Sequence, residues 1–226
     1  MFGYRESREG DVRVDVAFTD SSLDLQEARP DLPAALAQVE GACGVPLARL
    51  HQVHGDEVLV LDAPTDLDRA PSADALVTTR RGLGLMVRAA DCVPILLADP
   101  GAGVIGAAHA GRSGVALDIV GRTVEQMRDL GADRLVGWIG PHVCGSCYEV
   151  PEQMRAEVAA LVPATETHTS WGTPALDLGA GVRAQLDAAG VAVVEVGGCT
   201  REDARLHSYR RDGAAAGRLG ALVWMS

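Results

Sequence analysis

The chain has 226 residues, 47% of them apolar and 23% charged, with 26 glycines and 11 prolines. At roughly 150 residues per domain that length suits one large domain or two small ones, and so apolar a composition excludes a disordered chain. Thirty-one acidic against twenty basic side chains leave a net charge of −11, which argues against a nucleic-acid scaffold or an anionic membrane surface as partner but does not exclude a small anionic substrate.

Residues 12–18 alternate apolar and polar side chains, the period of a half-buried strand. Helical spacing follows over 31–43, with Leu32, Leu36 and Val39 on one face and Gly44 as the stop. Residues 51–61, rich in Val and Leu, read as a strand with Gly55 as a bulge, and a polar connection runs over 62–72. Three short apolar runs come next, at 83–88, 93–98 and 104–108, and Asp99-Pro100-Gly101-Ala102-Gly103 joins the last two like a hairpin turn. Val115, Ile119, Val120, Val124 and Met127 then predict one long amphipathic helix over 113–130, with Ser113 as N-cap and Gly131 just past its end. A strand is expected at 135–139. Pro151 opens a helix with Met154, Val158 and Leu161 on one face, and Asp177 caps another that carries Leu178, Val182 and Leu186 and ends at Gly190. Residues 191–196 and 221–224 read as late strands. With no repeat and no long linker, and with strands both in hairpins and alternating with helices, the expectation is a single domain over 1–226 with mixed sheets.

No stretch approaches the ~20 apolar residues needed to cross a bilayer, and the opening Met1-Phe2-Gly3-Tyr4-Arg5-Glu6-Ser7 lacks the apolar core of an export signal. Five cysteines, at 43, 92, 144, 147 and 199, are an odd number spread through the chain. They argue against a disulfide framework and for reduced thiols in the cytoplasm.

Three side chains stand out as metal ligands: His54 in His51-Gln52-Val53-His54-Gly55, Cys92 in Ala90-Asp91-Cys92-Val93-Pro94, and His109 in Ala108-His109-Ala110-Gly111. Cys92 and His109 sit at the ends of neighbouring apolar runs, where they can converge on one cleft. Two imidazoles and a thiolate leave a fourth position open, the pattern of catalytic zinc. The plainer reading is a small core cysteine and a satisfied buried histidine. In a regular strand His51 and His54 face opposite sides, and spacing alone does not choose between them. After His109, Gly111-Arg112-Ser113-Gly114 runs into the start of the long predicted helix, whose free N–H groups and dipole suit an anion. Cys144-Gly145-Ser146-Cys147 has C-x-x-C spacing, but no second such pair exists to complete a four-cysteine zinc site, so it reads as a structural turn. His168 reads as a solvated loop residue. In the polar run 206–213, Tyr209 could stack on a base while an arginine pairs with phosphate; the bland alternative is an exposed, salt-bridged loop.

These motifs occur in one order with Ala73-Asp74-Ala75-Leu76-Val77-Thr78, Gly140-Pro141, Cys147-Tyr148-Glu149-Val150 and Ser208-Tyr209-Arg210-Arg211-Asp212-Gly213, over residues 45–226. The ordered set resembles the multicopper polyphenol oxidase (laccase) domain family, also described as the purine nucleoside phosphorylases of the YfiH and YlmD type. The resemblance implies a compact α/β (α+β) fold with layered mixed sheets flanked by helices, and zinc bound by His54, Cys92 and His109, which selects His54 over His51. It implies phosphate-dependent cleavage of adenosine, inosine, guanosine and methylthioadenosine, and hydrolytic deamination of adenosine. Gln52, Arg88, Arg112, Tyr209 and Arg210 are then the candidates to bind nucleoside and phosphate, and Asp91 or Glu149 to move protons. The older oxidase label implies copper, but two histidines and one cysteine cannot supply the several coppers of a laccase. Two departures stand out. His109-Ala110-Gly111-Arg112-Ser113-Gly114 replaces the usual His-Ala-Gly-Trp-Arg-Gly, and residues 18–23 stand where a Gly-rich segment usually precedes the first helix. Two other readings compete: a cysteine or metal hydrolase, an amidase on cell-wall peptide precursors with Cys92 as nucleophile and His54 or His109 as its base, and a non-catalytic protein that keeps zinc for stability.

Overall fold

Two extended runs open the chain, β1 (Phe2–Arg8) and β2 (Val14–Thr19). The computed structural model describes residues 1–66 and 69–226, so part of the polar connection expected over 62–72 lies outside the described residues. Helix α1 (Leu32–Cys43) carries Pro33 in its first turn and is closed by Gly44, whose φ of 74° is the left-handed conformation that glycine adopts at no steric cost. Six strands follow: β3 (Leu47–Arg49), β4 (Val58–Val60), β5 (Ala75–Thr78), β6 (Gly84–Ala89), β7 (Val93–Asp99) and β8 (Val104–Ala110). Then come α2 (Arg112–Ala116), α3 (Ile119–Asp129), β9 (Val136–Ile139), α4 (Glu152–Leu161), β10 (Glu166–His168) and β11 (Pro174–Leu176). The chain ends through α5 (Leu178–Ala188), β12 (Ala192–Glu195), the single-turn α6 (Tyr209–Asp212) and β13 (Leu219–Met225).

Among the described residues the strands form three sheets, in the orders β1-β2-β13-β6-β3, β12-β9-β7-β8-β5-β4 and β10-β11. The two large ones are mixed: β3 with β6, β4 with β5 and β9 with β12 run parallel, and the other pairs antiparallel. Side chains alternate across each strand, and the central strands of both sheets are buried on both faces, whereas the edge strands β1, β4 and β12 are partly exposed. Val16, Phe18, Leu85 and Val223 of one sheet meet Leu76, Leu96, Ile105 and Trp138 of the other in a shared core. The opposite faces are covered by helices: Ala17, Met86 and Trp224 pack under α1, and Ala75, Ile95 and Ala108 pack under α2, α3, α4 and α5 through Val115, Val124, Val158 and Val182. The result is helix, sheet, sheet, helix, in which a run such as β7 is apolar almost throughout because neither face sees water.

Several sequence expectations need correction. β2 is buried along its whole length; its polar positions are bonded, with Asp15 accepting from Ser7 Oγ at 2.6 Å and Arg13 Nε at 3.0 Å. Residues 51–61 are not one strand. His51 makes a single bridge to Ser72, a loop follows, and only β4 is regular. The helix expected over 113–130 is two, broken at Leu117 and Asp118, where Asp118 takes a φ of 59° and its side chain accepts the N–H of Gly121 to cap α3. Gly111 rather than Ser113 precedes α2, without a side-chain cap. Leu161 does not share a buried face with Val158 but stands 67% exposed at the end of α4. His168 is solvent-exposed as expected, though it lies in β10 and meets Arg155 Nη1 at 2.9 Å. Among the described residues no helix is long and apolar enough to cross a membrane.

Candidate active site and metal centre

Asp74 is fully buried at the entrance to β5, and its carboxylate accepts four hydrogen bonds. Three come from consecutive backbone N–H groups, Val53 at 3.1 Å, His54 at 3.0 Å and Gly55 at 2.6 Å, and the fourth from Nδ1 of His109 at 2.9 Å. Burial opposes ionisation of this carboxyl, but the His109 bond and the backbone donors outweigh it and hold Asp74 below the usual carboxylate range. Gathering three N–H groups onto one carboxylate requires a tight turn, and His54 accordingly takes a φ of 61°. That turn is what breaks the expected strand. It also brings His54 Nε2 to 3.8 Å from Cys92 Sγ.

Cys92 stands just before β7, after Asp91 in a left-handed conformation at φ 87°. The Asp91 carboxylate is anchored by Thr200 Oγ1 at 2.6 Å and the Arg210 N–H at 2.6 Å, and its carbonyl accepts the Val143 N–H at 3.0 Å. His109 lies opposite Pro94 in the β7–β8 ladder. Its ring meets that of His54 edge-on, with centroids 4.8 Å apart. Gly111 leaves room for this cluster: a Cβ there would sit 2.7 Å from His54 Cδ2 and 3.2 Å from Cys92 Sγ.

The ligand atoms of His54, Cys92 and His109 all lie within 4.8 Å of one another. Burial alone would push the Cys92 thiol up, but the charge and hydrogen bond of His109, with a smaller contribution from His54, bring it down to about 6. For His109 burial works downward, and the Cys92 charge and the Asp74 hydrogen bond overcome it to raise the imidazole to about 9. Because Nδ1 of His109 is committed to Asp74, Nε2 is the nitrogen left for the site, the carboxylate–histidine arrangement that orients metal ligands. A readily formed thiolate, two oriented imidazoles and a glycine that keeps the space between them open suit a divalent metal with N and S preference.

The cluster lines a cavity of about 870 Å³, within the range of small-molecule sites. Gln52, Arg88, Asp91, Tyr209 and Arg210 line it too. The Gln52 amide is committed to the backbone of Arg88, donating to its carbonyl at 2.7 Å and accepting its N–H at 2.8 Å. Arg88 donates to the Leu25 carbonyl at 3.1 Å and to Glu27 at 3.3 Å. Arg210 lies 4.3 Å over the Tyr148 ring and donates to the Glu149 carbonyl at 2.7 Å. Tyr209 is 54% exposed. Arg112 opens α2 and is not among the lining residues. Glu149 lines a neighbouring cleft, where its carboxylate accepts from Trp171 Nε1 at 2.7 Å. Residue-by-residue reading did not single out Asp74, Tyr148, Thr200 or Arg218. Asp74 had a signal: it is the one charged residue in the otherwise apolar run 73–77.

Over residues 7–226 the chain matches the family described as multi-copper polyphenol oxidoreductase laccase. It is 54% identical, across 100% of both chains, to a Streptomyces coelicolor protein named purine nucleoside phosphorylase. A Mycobacterium tuberculosis protein of the same name is 44% identical over 86% of this chain and 81% of its own. Among solved structures, YlmD from Geobacillus stearothermophilus superposes with a TM-score of 0.83 at 28% identity, covering 93% of this chain and 91% of that one. A Neisseria meningitidis protein of the DUF152 family gives 0.81 at 25% identity, covering 98% and 99%.

Proposed function

The chain belongs to the multi-copper polyphenol oxidoreductase laccase family, and we propose that it is a cytoplasmic, zinc-dependent purine nucleoside phosphorylase that also deaminates adenosine. The substrates proposed are adenosine, inosine, guanosine and methylthioadenosine, as for the family. The observation that supports this most is the cluster of two imidazoles and one thiolate opening onto a nucleoside-sized cavity. Relatives named purine nucleoside phosphorylase point the same way.

In this reading His54, Cys92 and His109 hold zinc, which when bound supplies Lewis acidity to an oxygen nucleophile or leaving group. Asp74 fixes the His109 ring and the turn that carries His54. Phosphate binding is assigned to the cationic wall: Arg88, Arg210 and Arg218 all line the cavity, a local concentration of positive charge in a chain of net charge −11. Arg112 does not line the cavity, but its charge is felt at Tyr148, which does. Tyr209, at the rim, offers an exposed ring to the purine, and Gln52 shapes the floor through its bonds to Arg88. Proton transfer is assigned to Asp91, the carboxylate next to Cys92 on the cavity wall.

The test is a chromatographic assay with adenosine and inosine, with and without phosphate, on protein of measured metal content. Free purine that forms only with phosphate, and inosine that forms from adenosine without it, are expected from zinc-loaded protein. Purine release that ignores both phosphate and zinc would sink the reading. A cysteine hydrolase is favoured by one observation, the thiol brought down to about 6 beside a raised imidazole. It requires metal-free protein to cleave an amide and Cys92 alkylation to stop it.

A further inference from the structure

Away from the cavity, four more ligand-type side chains converge. The sulfurs of Cys144, Cys147 and Cys199 and a carboxylate oxygen of Glu202 all lie within 4.8 Å of one another, and the three cysteines are free thiols. They come from two short turns of the same build. In Cys144-Gly145-Ser146-Cys147 the N–H groups of Cys147 and Tyr148 donate to the Cys144 carbonyl at 2.9 and 3.1 Å. In Cys199-Thr200-Arg201-Glu202 the N–H groups of Glu202 and Asp203 donate to the Cys199 carbonyl at 3.1 and 2.9 Å. Each turn therefore presents a ligand from its first and its fourth residue. The missing partner of the C-x-x-C pair is a C-x-x-E pair, which a search for cysteine spacing does not find.

The turns are already aligned on each other. The Cys144 N–H donates to Cys199 Sγ at 3.4 Å, and Cys147 Sγ donates to Glu202 Oε1 at 3.5 Å. A backbone bridge joins His142 to Cys199, with the Thr200 N–H on the His142 carbonyl at 3.0 Å. We propose that Cys144, Cys147, Cys199 and Glu202 form a second, structural zinc site, closed by four protein ligands. Three thiolates and a carboxylate select zinc over magnesium or calcium, which prefer oxygen throughout. Tetrahedral zinc with Zn–S bonds of about 2.3 Å needs its sulfurs roughly 3.8 Å apart, a separation that four atoms already gathered within 4.8 Å reach by small side-chain rotations.

The site staples two segments that support the cavity, one through a lining residue and the other through a hydrogen bond to one. One carries Tyr148, on which Arg210 stacks. The other carries Thr200, which holds Asp91 and whose carbonyl accepts from Arg211 at 2.9 Å. The proposal does not depend on what occupies His54, Cys92 and His109.

The test is the zinc content of chain purified anaerobically without chelator, compared between Cys92→Ser and Cys92→Ser/Cys199→Ser. Cys92→Ser is expected to retain one zinc per chain, and the double variant to retain none. Because the double variant could misfold, Cys92→Ser/Glu202→Ala provides the milder probe. It keeps all three thiols and is expected to bind zinc at least tenfold more weakly in competition with a chromophoric chelator. Cobalt(II) loaded into Cys92→Ser is expected to show thiolate charge-transfer absorption, since three cysteine ligands remain. A Cys92→Ser protein without zinc, a chelator affinity unmoved by Glu202→Ala, or a disulfide among Cys144, Cys147 and Cys199 in the anaerobic preparation would each overturn the proposal.

Discussion

One carboxylate that accepts three backbone N–H groups and an imidazole N–H is hard to replace. Asparagine presents one accepting oxygen and puts an NH2 where the other stood, so Asp74→Asn strands about half of these donors, at ~1.5–3 kcal/mol for each bond lost to a charged acceptor. It also loosens the turn that aims His54 and frees the His109 ring. Zinc affinity is expected to fall 10- to 100-fold, as for other residues that orient metal ligands. Competition with a chelator measures this, and an unchanged affinity would mean that Asp74 only stabilises the fold. Gly111→Ala separates space from charge. The backbone there has a φ of −77°, which alanine adopts freely, so its whole effect comes from a Cβ pressed against His54 and Cys92. Overpacking of about 1–3 kcal/mol is expected, with metal lost before the fold. A fully zinc-loaded Gly111→Ala protein would show that the ligands have more room than the geometry allows. The convergence of His54, Cys92 and His109 was legible because their chemistry is rare and their motifs ordered. Asp74 is common chemistry in a common place, and only the three N–H groups converging on it reveal its work.

At the scale of elements, the apolar rhythm that predicts one helix over 113–130 is real, because α2 and α3 bury Val115, Ile119, Val120, Val124 and Met127 in the same core. What the rhythm cannot show is a break that leaves the buried face in register. Leu117 and Asp118 make that break, and Asp118 repairs it by capping α3. The loop over 52–57 escaped notice for a related reason: its shape is imposed by Asp74, some twenty positions away. Short strands such as β3 and β10 have three residues each, too few for any period to register. Asp99 makes a comparable long-range tie that can be tested. Its carboxylate accepts the N–H groups of Gly101 and Ala102 at 3.0 and 3.1 Å in the β7–β8 turn, and those of Asp133 and Arg134, both at 2.8 Å, before β9. Burial opposes ionisation, but the four donors outweigh it and lower the Asp99 pKa. The folded value therefore lies below the unfolded value of about 3.9, so this stabilisation is present above that pH and is lost as pH falls through the folded value. Asp99→Asn is expected to cost about 2–4 kcal/mol at neutral pH, with the gap to the parent protein closing below about pH 4. Urea unfolding across pH 2.5–7 reads this directly; a gap that stays constant into acid would rule out the carboxylate as its source.

At the scale of the molecule, the sequence predicted mixed sheets in layers but not which strands share a sheet. β13, the last strand, lies between β2 and β6 in the middle of its sheet, a pairing across most of the chain that local patterns do not encode. The layering bears on what a metal held by His54, Cys92 and His109 would do. Three apolar clusters fill the spaces between helices and sheets, and Cys92, His54 and His109 belong to none of them. A fold with so much core of its own does not need an open three-ligand metal site to form, unlike a small zinc finger. Cys92→Ser is therefore expected to lose the cavity zinc and both nucleoside activities while remaining folded. A serine hydroxyl stays protonated near pH 7, whereas this thiol, brought down to about 6, is a ready thiolate ligand. The exchange is nearly isosteric and should cost only about 1–2 kcal/mol, well within typical domain stability. Zinc per chain, circular dichroism and phosphate-dependent purine release on one preparation decide the matter. Near-normal turnover in the variant would mean that the nucleoside chemistry lies elsewhere. Outright unfolding would mean that the metal is there to hold the structure together, which is what the non-catalytic reading requires.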